Sequence, residues 1–233
     1  MKNPFPIITM LMIVLILYGC KGRPVELPIT KLQQNLKDVP TYSIVLEDMK
    51  EEGNFFFQYF HKYRVVFPES AENATTGWLE VPESYYRLNE SFLGMNLVTK
   101  KEGEISSAVS PPGYQYVGDP KYGQWRTDSH GNSFWEFYGK YALLTSLLGG
   151  WNQPIYRSDY TMYQQYRSRN TPYYGSNRQY GTNGTFTKQA KPNFYSRRMA
   201  RESMKSTSFK NKVAQRTGRT RTSMRSRAGG FGK

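Results

Sequence analysis

The chain is 233 residues long and strongly basic, with 32 Lys and Arg against 18 Asp and Glu for a net charge of +14. A single cysteine, Cys20, rules out an internal disulfide framework and thiolate zinc or iron–sulfur sites. The charge is divided sharply: residues 1–150 hold 14 Lys and Arg against 16 Asp and Glu, whereas residues 151–233 hold 18 against 2.

The first elements in chain order read as an export signal. Lys2 gives a basic start, and Ile7 to Leu17 form an almost unbroken apolar run. As a helix that run would span roughly 17 Å, short of the roughly 30 Å hydrocarbon core of a bilayer, so it fits a signal core and not a membrane span. It ends in Leu17-Tyr18-Gly19-Cys20, which resembles the lipobox of bacterial lipoproteins, with Tyr18 bulkier than the residues commonest there. The resemblance implies removal of residues 1–19, lipid attachment at the Cys20 thiol and a tether over 20–29. Two or three acyl chains anchor stably where one does not. Lys21, and not Asp, follows the cysteine; by the same resemblance this favours the outer membrane of the cell envelope over the inner one.

Residues 30–150 have the composition of one small globular domain. Thr30 caps a predicted short helix through Lys37, stopped by Pro40. Tyr42–Asp48 and Phe55–Phe67 read as strands joined by Lys50-Glu51-Glu52-Gly53, Gly53 supplying the positive φ of a tight turn. On the second strand Phe55, Phe57, Tyr59, His61, Tyr63, Val65 and Phe67 alternate onto one face, which requires either a core or an envelope protein partner. Pro82–Leu93 reads as a helix, Tyr114–Val117 as a strand between turns at Pro111-Pro112-Gly113 and Gly118-Asp119-Pro120, and Tyr122–Trp125 as further β structure. The strongest helical pattern covers Phe134–Leu148: Ser133 and Glu136 match a capping box, Glu136 and Lys140 an i,i+4 pair, and Gly149-Gly150 a left-handed stop. Its apolar residues surround most of the circumference, which implies burial. The expected fold is α+β: a small, aromatic-rich antiparallel sheet with one buried helix, then a long basic tail.

From 151 to 190 tyrosines 156, 160, 163, 166, 173, 174 and 180 alternate with Arg157, Arg167, Arg169 and Arg178, and aliphatic residues almost vanish. Without aliphatic bulk this segment is expected to stay disordered or to fold on a partner. Residues 191–233 carry 13 Lys and Arg with Glu202 as the single acid, a disordered tail by composition. Arg offers bidentate geometry to phosphate. Arg197, Arg198, Arg201, Lys205, Lys210, Lys212, Arg216, Arg219, Arg221, Arg225 and Arg227 are therefore the candidate anion-binding residues, with an anionic envelope polymer or lipid as the expected partner. Pro-Pro-Gly-Tyr at 111–114, Val-Gly-Asp-Pro-Lys-Tyr-Gly-Gln-Trp at 117–125, Ser-Phe-Trp-Glu-Phe-Tyr-Gly-Lys-Tyr at 133–141 and the Ser-Arg-Ala-Gly-Gly-Phe-Gly-Lys ending together resemble a group of uncharacterised bacterial envelope proteins. That likeness implies a location and no chemistry.

Catalytic patterns are sparse. His61 reads as a packed histidine, and Asp128-Ser129-His130-Gly131 as a turn, because hydrolytic triads bring their members together from separate segments. Glu47/Asp48 and Glu51/Glu52 read as a solvated strand end and turn. There is no phosphate loop, dinucleotide fingerprint, His-Glu-x-x-His or calcium loop, so no cofactor or metal is expected. The leading expectation is a non-enzymatic, lipid-anchored envelope protein with a cationic tail that binds an anionic surface. The alternatives are binding of extracellular DNA through the Arg/Tyr segment, against which the export signal argues, and a glycan hydrolase using a Glu from residues 47–104.

Overall fold

The computed structural model describes residues 26–53, 56–70, 72–141, 144 and 154–223, with the side chains at 205, 208, 212 and 217–223 outside that description. The signal, Cys20, Arg225 and Arg227 lie outside the described residues.

Helix α1, Pro28–Asn35, opens with Pro at its first turn and places Ile29 in the core. It starts two residues before the expected Thr30 cap, because a proline's fixed φ already suits the first helical position. Strands β1 (Tyr42–Glu52), β2 (Gln58–Phe67), β3 (Glu72–Thr75), β4 (Leu79–Val81), β5 (Asn96–Lys101) and β6 (Glu104–Ser106) form one antiparallel sheet in the order β3-β2-β1-β5-β6, with β4 also on β2. The expected β1–β2 hairpin is present, but β1 runs on through Lys50, Glu51 and Glu52 and β2 begins only at Gln58. Helix α2, Glu83–Asn89, is shorter than the predicted Pro82–Leu93.

This sheet buries one face under α1 and α2, where Ile44, Leu46, Met49, Tyr63, Val65, Leu93 and Leu97 meet Ile29, Tyr86 and Phe194. Part of its other face, at Val45 and Val66, is covered by Tyr116, Tyr122, Tyr141 and Leu144. The predicted strand at 114–117 is instead a 3-10 turn, Tyr114–Tyr116, entered through Gly113 at φ 92°. The turn sends Tyr116 to the large sheet, where its hydroxyl shares a 2.7 Å hydrogen bond with Ser43, and Tyr114 to a second core.

The predicted helix over 134–148 is the largest correction. Ser133–Phe137 is strand β8, pairing with β7 (Gly123–Thr127) and with the short β9 (Ile155–Tyr156). The Asp128–Gly131 turn closes the β7–β8 hairpin, and the aromatic run Phe134-Trp135-Glu136-Phe137 suits a pleated surface better than a helix. Glu136, read as a capping residue, instead pairs across the hairpin with Arg126 at 3.1 Å, and Trp125 meets Trp135 edge-on at 5.1 Å. Gly139–Tyr141 is a 3-10 turn, and most of the remainder of that segment lies outside the described residues.

Residues 154–190, expected to lack order, are folded. Helix α3, Arg157–Ser168, and helix α4, Thr185–Ala190, bracket a core in which Tyr114 lies 5.6 Å from Tyr163, 5.6 Å from Tyr173 and 6.3 Å from Tyr180. Ile155, Val117 and Trp135 complete it. Aromatic rings bury roughly 150–250 Å² each and so replace the missing aliphatic bulk. The segment is also stitched to the first sheet's layer: Thr182 Oγ1 donates to the Glu90 carbonyl at 2.6 Å and accepts from the Leu93 amide at 3.1 Å. Helix α5, Pro192–Ser223, follows. The architecture is α+β, as the sequence implied, with two antiparallel sheets among the described residues and aromatic-rich cores.

Candidate functional site: an acidic strand edge under a basic helix

β1 is paired on its β5 side only as far as Leu46, whose amide donates to Met95 at 2.9 Å and whose carbonyl accepts from Gly94 at 2.8 Å. A bulge between Leu46 and Asp48 shifts the register there, and Glu47–Glu52 continue with β2 on one side alone. An uncovered strand edge invites pairing with another chain. Here the start of α5 lies against β1 instead.

The contact is ionic. Glu47 is held between Arg64, at 2.8 Å, and Lys191. Arg197 Nη2 donates to both carboxylate oxygens of Asp48, at 2.7 and 2.8 Å. Glu51 lies between Arg87, at 3.2 Å, and Arg201, at 3.3 Å, and Arg201 also donates to the Glu51 carbonyl. Lys191, Arg197 and Arg201 thus meet successive acids along one strand. Phe194 is buried in the first core between these anchors, and the Tyr195 hydroxyl donates to the Thr182 carbonyl. The first turns of α5 are therefore fixed to the body by packing as well as charge. A shallow cleft of about 220 Å³ opens at this junction, lined by Glu47, Asp48, Lys62, Ala190, Lys191, Pro192, Asn193 and Phe194.

Beside the junction, aromatic rings and cations interleave. Lys50 Nζ stands 4.5 Å from the centre of the Trp78 ring and 5.0 Å from Phe60. The Arg197 guanidinium is 5.9 Å from Trp78, and that of Arg201 is 5.0 Å from Phe57. Each is a cation–π distance.

The predicted anion-binding residues divide accordingly. Arg197 and Arg201 are engaged with Asp48 and Glu51, and Arg198 pairs with Glu202 one turn on at 3.1 Å. Lys210 and Arg216 are exposed. Lys205, Lys212, Arg219 and Arg221 are positions of the same helix. The strand acids Glu47, Asp48 and Glu51, expected to be solvated, are the residues that organise the site. The signal that locates them is the excess of acid near residue 50 set against the excess of base after residue 190.

The odd-numbered residues of β2 turn inward: Tyr59, His61, Tyr63 and Val65 are buried, leaving Phe56, Phe57 and Trp78 as the exposed rings of that end. Phe55 lies outside the described residues. His61 packs 5.3 Å from Tyr86 and 5.7 Å from both Tyr63 and Tyr85, its Nδ1 3.0 Å from the Tyr63 hydroxyl. Burial lowers its pKa to about 4, so the ring is neutral at neutral pH. At the other histidine, Asp128 accepts from the amides of His130 and Asn132 at 2.9 and 2.8 Å. Those hydrogen bonds, led by the Asn132 amide, hold its carboxyl below the usual range. The carboxylate thus serves the turn's backbone and the Asn132 side chain.

Among the described residues no cluster of His, Cys, Asp and Glu could hold a metal ion, and no helix is long and apolar enough to cross a membrane. Comparison with protein-family models, curated proteins and solved structures finds no match for the chain.

Proposed function

We propose that this is a non-catalytic, lipid-anchored envelope protein, held at Cys20, whose helix α5 is a cationic arm for an anionic envelope surface. The carrying observation is the division within α5: its first turns are clamped through Lys191, Arg197 and Arg201 to Glu47, Asp48 and Glu51, and the helix then continues to Ser223 with Glu202 its only acid. A basic arm whose first turns are packed on the body starts from a defined point at the β1 edge. Binding of that kind is salt-sensitive and selects for charge density more than for sequence.

The lipobox-like Leu17-Tyr18-Gly19-Cys20 supports the anchor, and Lys21 after it supports the outer membrane. Labelling of cells with palmitate, followed by fractionation, tests both parts. Label should enter the parent chain and not Cys20→Ser, and a chain ending at Ser203, which keeps the clamp and both cores, should carry the label and stay with the outer membrane. A parent chain that takes up no label would contradict the anchor.

A further inference from the structure

We propose that the end of the large sheet nearest the β1–β2 turn is a membrane-seating surface, built to lie against an anionic phospholipid bilayer. Three large rings are exposed there: Phe56 at 91 %, Phe57 at 43 % and Trp78 at 36 %. Single exposed apolar residues are ordinary, but two of these have a cationic surround, with Lys50 and Arg197 at Trp78 and Arg201 at Phe57. Arg197 and Arg201 are one turn apart on α5, so one helix turn brings the Phe57 and Trp78 rings to a common site.

The covering of the sheet explains why this end is open. Tyr116, Tyr122, Tyr141 and Leu144 cover Val45 and Val66, while Lys50, paired in register with Phe60 further along, lies over Trp78. Rings flanked by Lys and Arg match the chemistry of a headgroup boundary: the rings enter the acyl margin while the polar, ion-paired groups beside them lie at headgroup level. Asp48, Glu51 and Glu52 are paired with Arg197, with Arg87 and Arg201, and with Lys50 at 2.6 Å, while Glu80, in register with Phe60, accepts from the Gln58 side-chain amide at 3.4 Å. The local charges therefore largely cancel, and the net positive charge that favours an anionic surface comes from the distal part of α5.

Chain entry agrees with this orientation. α1 touches β4, which pairs with Tyr59–His61 in the half of β2 nearest this surface. Cys20 precedes Pro28 by 8 residues, a reach of at most about 28 Å when extended. The orientation rests on the anchor proposed above; the surface itself does not.

The test therefore uses the mature chain with Cys20→Ser, free of lipid, on vesicles of equal parts phosphatidylglycerol and phosphatidylcholine at low and high salt. Partitioning should have a salt-sensitive part from α5 and a salt-resistant part from the rings. Phe56→Ser with Phe57→Ser should reduce the salt-resistant part about tenfold while leaving the circular dichroism and Tm unchanged. Brominated acyl chains should quench part of the tryptophan emission, and Trp78→Phe should remove that quenched part. A double variant that partitions like its parent at both salt levels, with Trp78 unquenched, would overturn the proposal while leaving the arm intact. Loss of only the salt-sensitive part on truncation at Ser203, with the salt-resistant, ring-dependent part retained, would support the surface; absence of vesicle binding by the parent at both salt levels would overturn it.

Discussion

The two parts of α5 have much the same composition and different surroundings. Up to Glu202 the helix has a buried Phe194, two cations ion-paired to β1 with a third, Lys191, just before its first residue, and an i,i+4 pair. Further along, Met204, Phe209 and Val213 are exposed, and no Asp or Glu follows Glu202 in the sequence. Helices draw most of their stability from packing and not from propensity. The first part should therefore behave as part of the body and the second as an arm whose order depends on what it touches.

The same contrast between packed and unpacked segments separates residues 154–190 from the arm, and its largest expected signal is there. Tyr114→Ala removes the ring on which Tyr163, Tyr173 and Tyr180 converge and should cost about 3–5 kcal/mol. Chemical denaturation should show it, together with early proteolysis between residues 154 and 190. A change under 1 kcal/mol would mean that this core does not hold the segment.

Acid acts on the body next. Unfolded His61 titrates near 6.5 and the folded residue near 4, so the unfolded chain takes up the proton first. Stability is complete above about pH 6.5 and falls as the pH drops toward 4, by up to about 3 kcal/mol. His61→Gln should flatten that part of the pH profile, and an unchanged profile would remove His61 as its cause.

The clamp comes third. Asp48→Asn leaves Arg197 without its bidentate partner and should cost about 1 kcal/mol, because the pair is partly exposed. Its clearer signature is faster hydrogen exchange in the first turns of α5, with the core of the sheet unaffected. The smallest effect on stability belongs to the arm: Lys210→Gln with Arg216→Gln should change unfolding by less than about 0.5 kcal/mol while lowering the salt dependence of anion binding.

The β1–β2 hairpin, Gly53 and the inward alternation of β2 were legible because period-2 patterning and a positive-φ turn are local signals. The helix at 134–148 was misread for an equally local reason. Ser133 and Glu136 have capping-box spacing, but hairpin closure by Asp128–Gly131 and the pairing of Trp125 with Trp135 are long-range and decide the outcome. Order in 154–190 is not legible from composition because Leu, Ile and Val are scarce there, whereas Tyr163, Tyr173 and Tyr180 pack around Tyr114 from a distant segment. Of the candidate site, the cations were visible in the composition, and the acids that hold Arg197 and Arg201 were not, since 149 and 150 residues separate the partners.

The most direct test of the account is co-sedimentation of the lipid-free mature chain with anionic vesicles, lipopolysaccharide and DNA across a salt series, beside a chain ending at Ser203. The account predicts salt-sensitive binding to the envelope anions that is strongly reduced in the shorter chain, with both chains equally folded. Equal binding by the two chains, or binding to DNA alone, would contradict the assignment of α5 as an arm for the envelope surface.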